Sequence, residues 1–248
     1  MEMENKKNIY SSHEVYEMML AERKKHPPVI FLSGIPALDE YIDFFEGGEL
    51  VVISGRTGHG KTTFGITLTR TLWEKGLNCL WFSYEMGTLR FLEKTKVNNK
   101  IPLFYLPLHL VPNRLEFIEH CIQEAKEKYD ISAVFIDHLH YLCDTTNISI
   151  VREIGRVMRW LKITAVKYNI VIFCIAHVQK LAEVKVSEID NDHLKDGSAI
   201  AQEADNVFFI LRPDDTNKGL LKITKNRRNG WRGKIINLIK KENCFEGV

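Results

Sequence analysis

The residues with the clearest chemical meaning form a glycine-spaced loop between a β-branched run at 50–54 and a helical pattern. Gly55, four residues of any type, Gly60, Lys61 and Thr62 satisfy the pattern of a phosphate-binding P-loop. Glycines let successive N–H groups point at phosphate oxygens, and the helix that begins at Lys61 adds unpaired N-terminal donors. Nine residues are therefore predicted to bind the phosphates of a nucleotide, with Lys61 on the β and γ phosphates: Gly55, Arg56, Thr57, Gly58, His59, Gly60, Lys61, Thr62 and Thr63.

Three further apolar runs end in polar residues that suit nucleotide hydrolysis. Asp137 ends one run in the Walker B arrangement, in which a carboxylate holds Mg²⁺ through its water shell, and the Thr62 hydroxyl is predicted to ligate the same ion. Glu85 follows another run, and a carboxylate there can orient and deprotonate the attacking water. His177 follows the last run and can hydrogen-bond the γ-phosphate or the water. Because ligands of open α/β sheets bind beyond the carboxyl ends of the strands, these residues are predicted to share one site.

The elements that must position these residues are apolar strands alternating with amphipathic helices. This alternation predicts an α/β protein with a mostly parallel central sheet, covered by helices on both faces. Together with the glycine-spaced loop it indicates the fold of a P-loop NTPase. Helices are predicted at 61–75, from about 88, over 113–129, from 149 and from about 198. Strands are predicted at 50–54, 78–83, 133–137, 170–175, 206–211, 220–225 and 234–239, the last two as a C-terminal β-hairpin, and residues 103–110 are predicted to be extended at a sheet edge.

The bulk composition is that of a soluble globular chain, with 248 residues, 45% hydrophobic residues, 27% charged residues and a net charge of +2. No apolar run approaches the ~18 residues of a membrane span. Residues 1–7 lack the apolar core of a signal peptide. The five cysteines form no C-x-x-C pair, which argues for a cytoplasmic or other reducing compartment and against both zinc and disulfides.

Two segments have more than one interpretation from the residues alone. Residues 1–29 are predicted to be an arm with a short helix over 14–25, while 30–248 form one domain. The arm is either a frayed tail or a surface that docks on a neighbouring subunit. Residues 218–241 contain nine Lys or Arg and no Asp or Glu. That run is a solvated face, a cation supplied to an active site, or a contact for nucleic-acid backbone.

Taken together, these motifs resemble the RecA-like motor domain of hexameric replicative helicases, which include bacterial DnaB, phage helicase-primases and the mitochondrial helicase Twinkle. The resemblance runs from about 34 to 233. Besides the P-loop, five segments occur in the family's order: Gly-Gly-Glu-Leu at 47–50, Phe-Ser-Tyr-Glu-Met at 82–86, Phe-Ile-Asp-His-Leu at 135–139, Gly-Ser-Ala-Ile-Ala-Gln-Glu-Ala-Asp-Asn-Val at 197–207 and Lys-Asn-Arg-x-x-Gly at 225–230.

The resemblance implies a role for each matching residue of the phosphate site. Lys61 and Thr62 bind phosphate and Mg²⁺, and Asp137 is the Walker B carboxylate. Glu85 becomes the catalytic base. His177 matches the sensor histidine of the phage and Twinkle-type members. The implied cofactors are ATP and Mg²⁺.

The resemblance also implies that identical subunits share their sites in a ring, most simply a hexamer. Arg227 is then an arginine finger acting on the neighbouring subunit's ATP, with Lys225 beside it. The loops 142–149 and 180–195 are implied to grip single-stranded DNA. The arm at 1–29 lies where the family has its subunit-docking linker helix.

The implied function is an ATP-dependent DNA helicase or translocase, in a cytoplasmic and nucleoid-associated location. Two alternatives use the same phosphate site. One is a RecA- or RadA-like recombination ATPase, which forms filaments on DNA. The other is a KaiC-like regulatory ATPase, whose rings act on protein partners. No membrane partner is expected.

Overall fold

An eight-stranded sheet forms the centre of the protein. The computed structural model describes residues 9–25, 27–112, 114–144, 149–178, 186–194, 197–212 and 216–247. The helices of these ranges are α1 (Ser12–Lys25), α2 (Pro36–Ile42), α3 (Lys61–Glu74), α4 (Thr88–Thr95), α5 (Leu115–Tyr129), α6 (Ile150–Tyr168) and α7 (Gly197–Glu203). The strands are β1 (Ile30–Phe31), β2 (Phe45–Glu46), β3 (Leu50–Ser54), β4 (Asn78–Ser83), β5 (Ile131–Asp137), β6 (Val171–Ile175), β7 (Asn206–Leu211), β8 (Lys218–Asn226), β9 (Ile235–Lys241) and β10 (Cys244–Gly247).

The strands of the large sheet follow the order β10-β9-β8-β7-β3-β6-β5-β4. The five strands from β7 to β4 are parallel, and β8, β9 and β10 extend the sheet with antiparallel pairs. The predicted fold class is confirmed: an α/β protein with a mostly parallel sheet, helices on both faces and a C-terminal β-hairpin. The hairpin pairs β8 with β9.

Helices cover both faces of the parallel strands, which explains why the strand sequences are continuously apolar. Every residue of β3, β5, β6 and β7 is buried. Alternate residues of a strand enter different cores. Val52 belongs to the core formed with α5, α6 and α7, while Val51 belongs to the core formed with α2, α3, α4 and β10. In the second core Phe135 stacks between Trp81 and Phe173, with ring centroids 4.6 and 4.8 Å away.

Three short features were not predicted from the sequence: α2, the two-stranded sheet of β1 and β2, and β10. Elements this short carry no periodic signal. The segment 103–110, predicted to be extended, contacts β4 through a single bridge between Tyr105 and Leu80. The capping box predicted for α5 depends on Asn113, which lies outside the described residues.

Helix α1 confirms the predicted helix of the arm. The Ser11 hydroxyl accepts a hydrogen bond from the Glu14 N–H at 3.2 Å, and the Glu14 carboxylate accepts one from the Ser11 N–H at 2.7 Å. None of the side chains of α1 is buried. An ion pair of 2.8 Å joins its Arg23 to Glu46 of β2.

Among the helices of the described ranges, none combines the length and the apolar character needed to cross a lipid bilayer.

Candidate active site

The P-loop lies at the carboxyl end of β3 and leads directly into α3. Gly55 has φ 144°, and a Cβ atom there would lie 2.2 Å from the carbonyl oxygen of Ile210 on β7. Gly60 has φ 100°, and a Cβ there would lie 2.7 Å from the Phe245 ring on β10. Side chains at these two positions would therefore strain the backbone and displace its neighbours. The packing of β7 and β10 against the loop thus requires glycine at both positions.

Two side chains of the loop, those of Lys61 and His59, form hydrogen bonds with backbone groups close to the P-loop. The Lys61 ammonium donates to the carbonyl oxygens of Gly55 and Arg56 at 3.0 and 3.1 Å. Burial lowers the pKa of Lys61, and the nearby Asp137 and Glu85 partly restore it. His59 Nδ1 accepts the backbone N–H of Arg212 at 3.1 Å. Lys61 thus closes the loop on itself, and His59 fixes the loop to the residue that follows β7.

Asp137 has the surroundings that a metal-binding carboxylate requires. Its Oδ2 accepts the Thr62 hydroxyl at 2.7 Å, so that the two predicted metal ligands are in direct contact. Within the described part of the chain, Asp137 Oδ1 and the neighbouring Ser83 Oγ are buried without a hydrogen-bond partner. Burial raises the pKa of Asp137 to about 6, although the hydrogen bond from Thr62 acts to lower it. A buried, partly unsatisfied carboxylate beside a threonine hydroxyl fits a hard cation such as Mg²⁺.

Glu85 and His177 reach the same site because their strands flank that of Asp137. The order β3-β6-β5-β4 places the P-loop, His177, Asp137 and Glu85 on consecutive strand ends. The Tyr84 N–H, next to Glu85, donates to the Asp137 carbonyl at 2.7 Å. Glu85 is exposed, and its charge contributes to raising the pKa of Asp137. The structure therefore brings together all four groups that were predicted to act on phosphate and water.

Three residues at this site were not identified from the sequence. Lys94 of α4 is half-buried, which lowers its pKa, and it is close enough to Asp137 and Glu85 for their charges to oppose that shift. His138 and His140 follow the Walker B carboxylate and lie beside His177, with the rings of His138 and His177 4.1 Å apart. The H-x-H spacing directly after a strand end was the signal available for the histidines. No sequence pattern identified Lys94.

Arg227 and Lys225 lie at the amino ends of the parallel strands, away from the P-loop. The Arg227 guanidinium pairs with Asp205 Oδ1 at 2.8 Å, and Asp205 Oδ2 accepts the N–H of Leu50, the first residue of β3, at 2.8 Å. Lys225 donates to carbonyl oxygens of the last turn of α7, including those of Ala201 and Ala204 at 2.6 Å. Both cations thus lie beside the amino ends of the parallel strands, whereas the P-loop lies at the carboxyl ends.

The other arginines of the hairpin differ in how firmly they are held. Arg228 pairs with Glu49 at 2.7 Å and with Glu46 at 3.1 Å, and its guanidinium lies 4.0 Å from the centre of the Phe44 ring. Arg232 is exposed. Arg228 therefore fixes the hairpin to the segment that precedes the P-loop.

The two loops predicted to contact DNA are described only in part. Residues 145–148 of the first loop and 180–185 and 195 of the second lie outside the described ranges. Residues 186–194 pack on the hairpin, where buried Lys222 donates to the carbonyl oxygens of Val186 and Ser187 at 3.1 and 2.7 Å. Their predicted DNA contact stays a prediction.

Replacing Asp137 with asparagine is expected to stabilise the Mg²⁺-free protein at pH 7.5. The pKa of this carboxyl group rises from 3.8 to about 6 on folding, so its ionisation is disfavoured in the folded state. This ionisation costs no stability below pH ~4. The cost grows as the pH rises through the folded pKa and is complete above it, where it lowers the free energy of unfolding by on the order of 1–3 kcal/mol. The variant should melt at a higher temperature than wild type at pH 7.5, and the difference should shrink towards pH 5.

The matched control for this prediction is Asp192→Asn. Asp192 is exposed in the 3-10 turn at Asn191–His193, so the same chemical change there should move the melting temperature little at either pH. Saturating Mg²⁺ should stabilise wild type and fail to stabilise Asp137→Asn. A Mg²⁺-free Asp137→Asn protein that melts below wild type at pH 7.5 would contradict this description of the site.

Several known proteins resemble this chain in sequence and in fold. The sequence matches the profile described as "DnaB-like helicase C terminal domain" over residues 31–101 and 111–245. A probable replicative DNA helicase of Trieres chinensis is 25% identical over 274 residues, an alignment that covers 92% of this chain and 60% of the relative. The chain spans a little over half the length of the curated relatives it matches.

Solved structures show the same architecture at low sequence identity. A DnaB-like replicative helicase superposes with a TM-score of 0.73 and 19% identity, covering 96% of this chain and 67% of that helicase. The RadB recombinase superposes with a TM-score of 0.63 and 17% identity, covering 87% of this chain and 98% of the recombinase. These likenesses establish a RecA-like ATPase fold.

Proposed function

The chain belongs to the family of DnaB-like helicase C-terminal domains, and on that premise we propose that it is the motor of an ATP-dependent DNA helicase. In this proposal ATP and Mg²⁺ bind at interfaces between identical subunits, and hydrolysis moves the assembly along single-stranded DNA. The observation that carries the proposal is the position of the two cations predicted to act on the phosphates. Lys61 and Arg227 lie at opposite edges of one sheet.

The separation of these cations follows from the length of β3. Arg227 is held beside Leu50, the first residue of the strand, by the carboxylate of Asp205. The P-loop begins directly after Ser54, the last residue of the strand. Five residues of extended chain span about 15 Å, which is longer than an arginine side chain. Arg227 can therefore complete the phosphate site of another subunit and not that of its own.

Each residue at the carboxyl edge has a task in this proposal. The N–H groups of the P-loop and the Lys61 ammonium bind the β and γ phosphates. Thr62 and Asp137 would hold Mg²⁺, which would neutralise charge on these phosphates when bound. Glu85, exposed at the end of β4, accepts the proton of the attacking water. His177 contacts the γ-phosphate or the water and links hydrolysis to the loop that follows it.

Assembly into a ring is supported by α1 and by the position of the finger. Helix α1 exposes apolar side chains, among them Val15, Met18 and Met19 at 42–52% exposure, while none of its side chains is buried in its own subunit. We therefore assign 1–29 to subunit docking, with 30–248 as the motor domain. A hexamer is the proposed state. The five free cysteines favour a cytoplasmic or other reducing compartment.

A recombination ATPase is the second candidate function, because the RadB fold also covers most of this chain. A recombination ATPase would share the phosphate site and the dependence on DNA. It would not unwind a duplex in one direction. The regulatory alternative would have no dependence on DNA.

Single-stranded DNA is expected to stimulate ATP turnover severalfold, in a manner that weakens as salt rises, because backbone contacts release counterions. Steady-state turnover with and without a single-stranded oligonucleotide tests this, followed by unwinding of forked duplexes with a 5′ or a 3′ tail. Turnover without any effect of DNA would overturn the helicase proposal and favour a protein partner. Stimulation without unwinding would favour the recombinase.

A further inference from the structure

Three histidines cluster at the edge of the phosphate site. His138 and His140 come from the end of β5 and the 3-10 turn at Leu139–Leu142, and His177 comes from beyond the end of the adjacent β6. One ligand nitrogen from each ring lies within 4.8 Å of the other two. The ring centroids are 4.1 Å apart for His138 and His177, 5.5 Å for His138 and His140, and 6.1 Å for His140 and His177.

The cluster sits in a sheltered position. None of the three histidines is exposed. The Tyr141 ring packs 4.8 Å from the His138 ring and stacks on Tyr84 at 5.7 Å. The neighbouring strands β5 and β6 thus bring His138 and His177 together, and the Tyr141 ring packs against His138.

The donor set selects among metal ions. Neutral imidazole suits Zn²⁺ and other first-row transition metals, whereas Mg²⁺ prefers carboxylate, carbonyl and water oxygens. Nitrogens bound to one tetrahedral Zn²⁺ at ~2.0–2.1 Å lie about 3.4 Å apart. The three rings must therefore approach one another by no more than about 1.5 Å, which rotation within ordinary side-chain torsions provides.

We propose that His138, His140 and His177 bind one first-row transition-metal ion, with Zn²⁺ as the best match. The site is separate from the Mg²⁺ site of Thr62 and Asp137, although His138 follows Asp137 directly. Three protein nitrogens leave one tetrahedral position open for water or another oxygen ligand. The cysteine spacing argued against zinc; the three histidines revise that expectation.

The bound ion has a consequence that rests on the proposed function. It takes the imidazole of His177, which is the proposed partner of the γ-phosphate or the attacking water. Zn²⁺ therefore inhibits ATP turnover in the presence of excess Mg²⁺. At an ion concentration ten times the Kd, about a tenth of the subunits stay metal-free, and turnover should fall about tenfold.

Binding is tested with Co²⁺ as a spectroscopic substitute for Zn²⁺, on chelator-treated protein in excess Mg²⁺. The expected result is a set of visible absorption bands that saturates at one ion per chain, without the near-ultraviolet band of a sulfur ligand, and that Zn²⁺ removes. His140→Asn and His138→Asn should each weaken binding by at least about tenfold. His120→Asn, on the exposed face of α5, is the matched control and should bind as wild type does. Circular dichroism establishes that each variant is folded.

The outcomes separate this inference from the proposed function. Absence of saturable bands, a sulfur band, or equal binding by folded His140→Asn and wild type would overturn the metal site. Inhibition is scored as each variant's turnover with Zn²⁺ divided by its own turnover without it, and His140→Asn should lose most of the inhibition. Normal Co²⁺ binding by a protein that hydrolyses no ATP would keep the site and overturn the function. DNA-stimulated turnover by a protein that binds no Co²⁺ would overturn the metal site and keep the function.

Discussion

Replacing Arg227 with alanine is expected to lower the ATP turnover of the assembled protein by about 10³-fold or more, as arginine fingers do in related phosphoryl-transfer enzymes. In the proposed role the guanidinium stabilises charge that develops on the phosphoryl group transferred in the neighbouring subunit, because it lies too far from its own P-loop. The Arg227 side chain is 52% exposed, whereas Asp205 is 8% exposed and keeps the hydrogen bonds from Leu50 N–H and Lys162 when Arg227 is absent. Turnover is measured at protein concentrations at which the proposed ring is assembled.

The neighbouring arginine provides the control. Arg228→Ala removes the same charge one residue away, but Arg228 is 24% exposed and is tied to Glu46 and Glu49 in its own subunit. This variant should lose thermal stability and keep turnover within a few-fold of wild type. Nucleotide binding should survive in Arg227→Ala. Equal turnover in Arg227→Ala and wild type would contradict the finger assignment.

Replacing Glu85 with glutamine is expected to lower turnover by about 10²–10⁴-fold while ATP binding is retained. The amide keeps the size of the side chain and removes its ability to accept a proton from water. Glu85 is exposed in the isolated subunit and lies at the end of the strand beside Asp137. Measuring the Kd of a fluorescent ATP analogue together with single-turnover hydrolysis separates binding from chemistry.

A second glutamate of the same region serves as the control. Glu93 of α4 is exposed and pairs with Lys96 on the surface, so Glu93→Gln should leave both binding and hydrolysis unchanged. A Glu85→Gln protein with wild-type single-turnover rates would exclude Glu85 as the base. Loss of nucleotide binding in this variant would instead indicate that Glu85 shapes the pocket.

The phosphate site was predictable because its signals are local. The P-loop, Asp137 and Glu85 each follow an apolar strand directly, and a parallel sheet places all such ends at one edge. The strand pattern gave both the fold class and this edge. No tertiary contact had to be known in advance.

Other features depend on contacts between segments that are far apart in the chain. Strand β10 has four residues, yet its Phe245 packs against Gly60 and its backbone N–H donates to the Thr67 hydroxyl at 2.8 Å. Lys94 reaches the site from a helix with no motif. The association of His140 with His177 depends on the neighbouring positions of β5 and β6. Such contacts leave no short-range trace in the sequence.

Asp205 shows how a motif can have a structural meaning that its resemblance did not supply. Within the segment 197–207 it accepts from Leu50 N–H, from Lys162 at 2.6 Å and from Arg227. It thus connects the start of the P-loop strand, helix α6 and the hairpin. In the proposed release of Arg227 to a neighbouring phosphate, Asp205 would keep its contacts with Leu50 N–H and Lys162.

Completion of each site by a second subunit is tested most directly by mixing two inactive variants. Lys61→Ala removes the phosphate-binding lysine, and Arg227→Ala removes the finger. In mixed rings, about one quarter of the interfaces pair an intact P-loop with an intact Arg227. We predict that the mixture hydrolyses ATP well above either variant alone, after subunit exchange is allowed. A mixture no more active than its components would contradict the shared site.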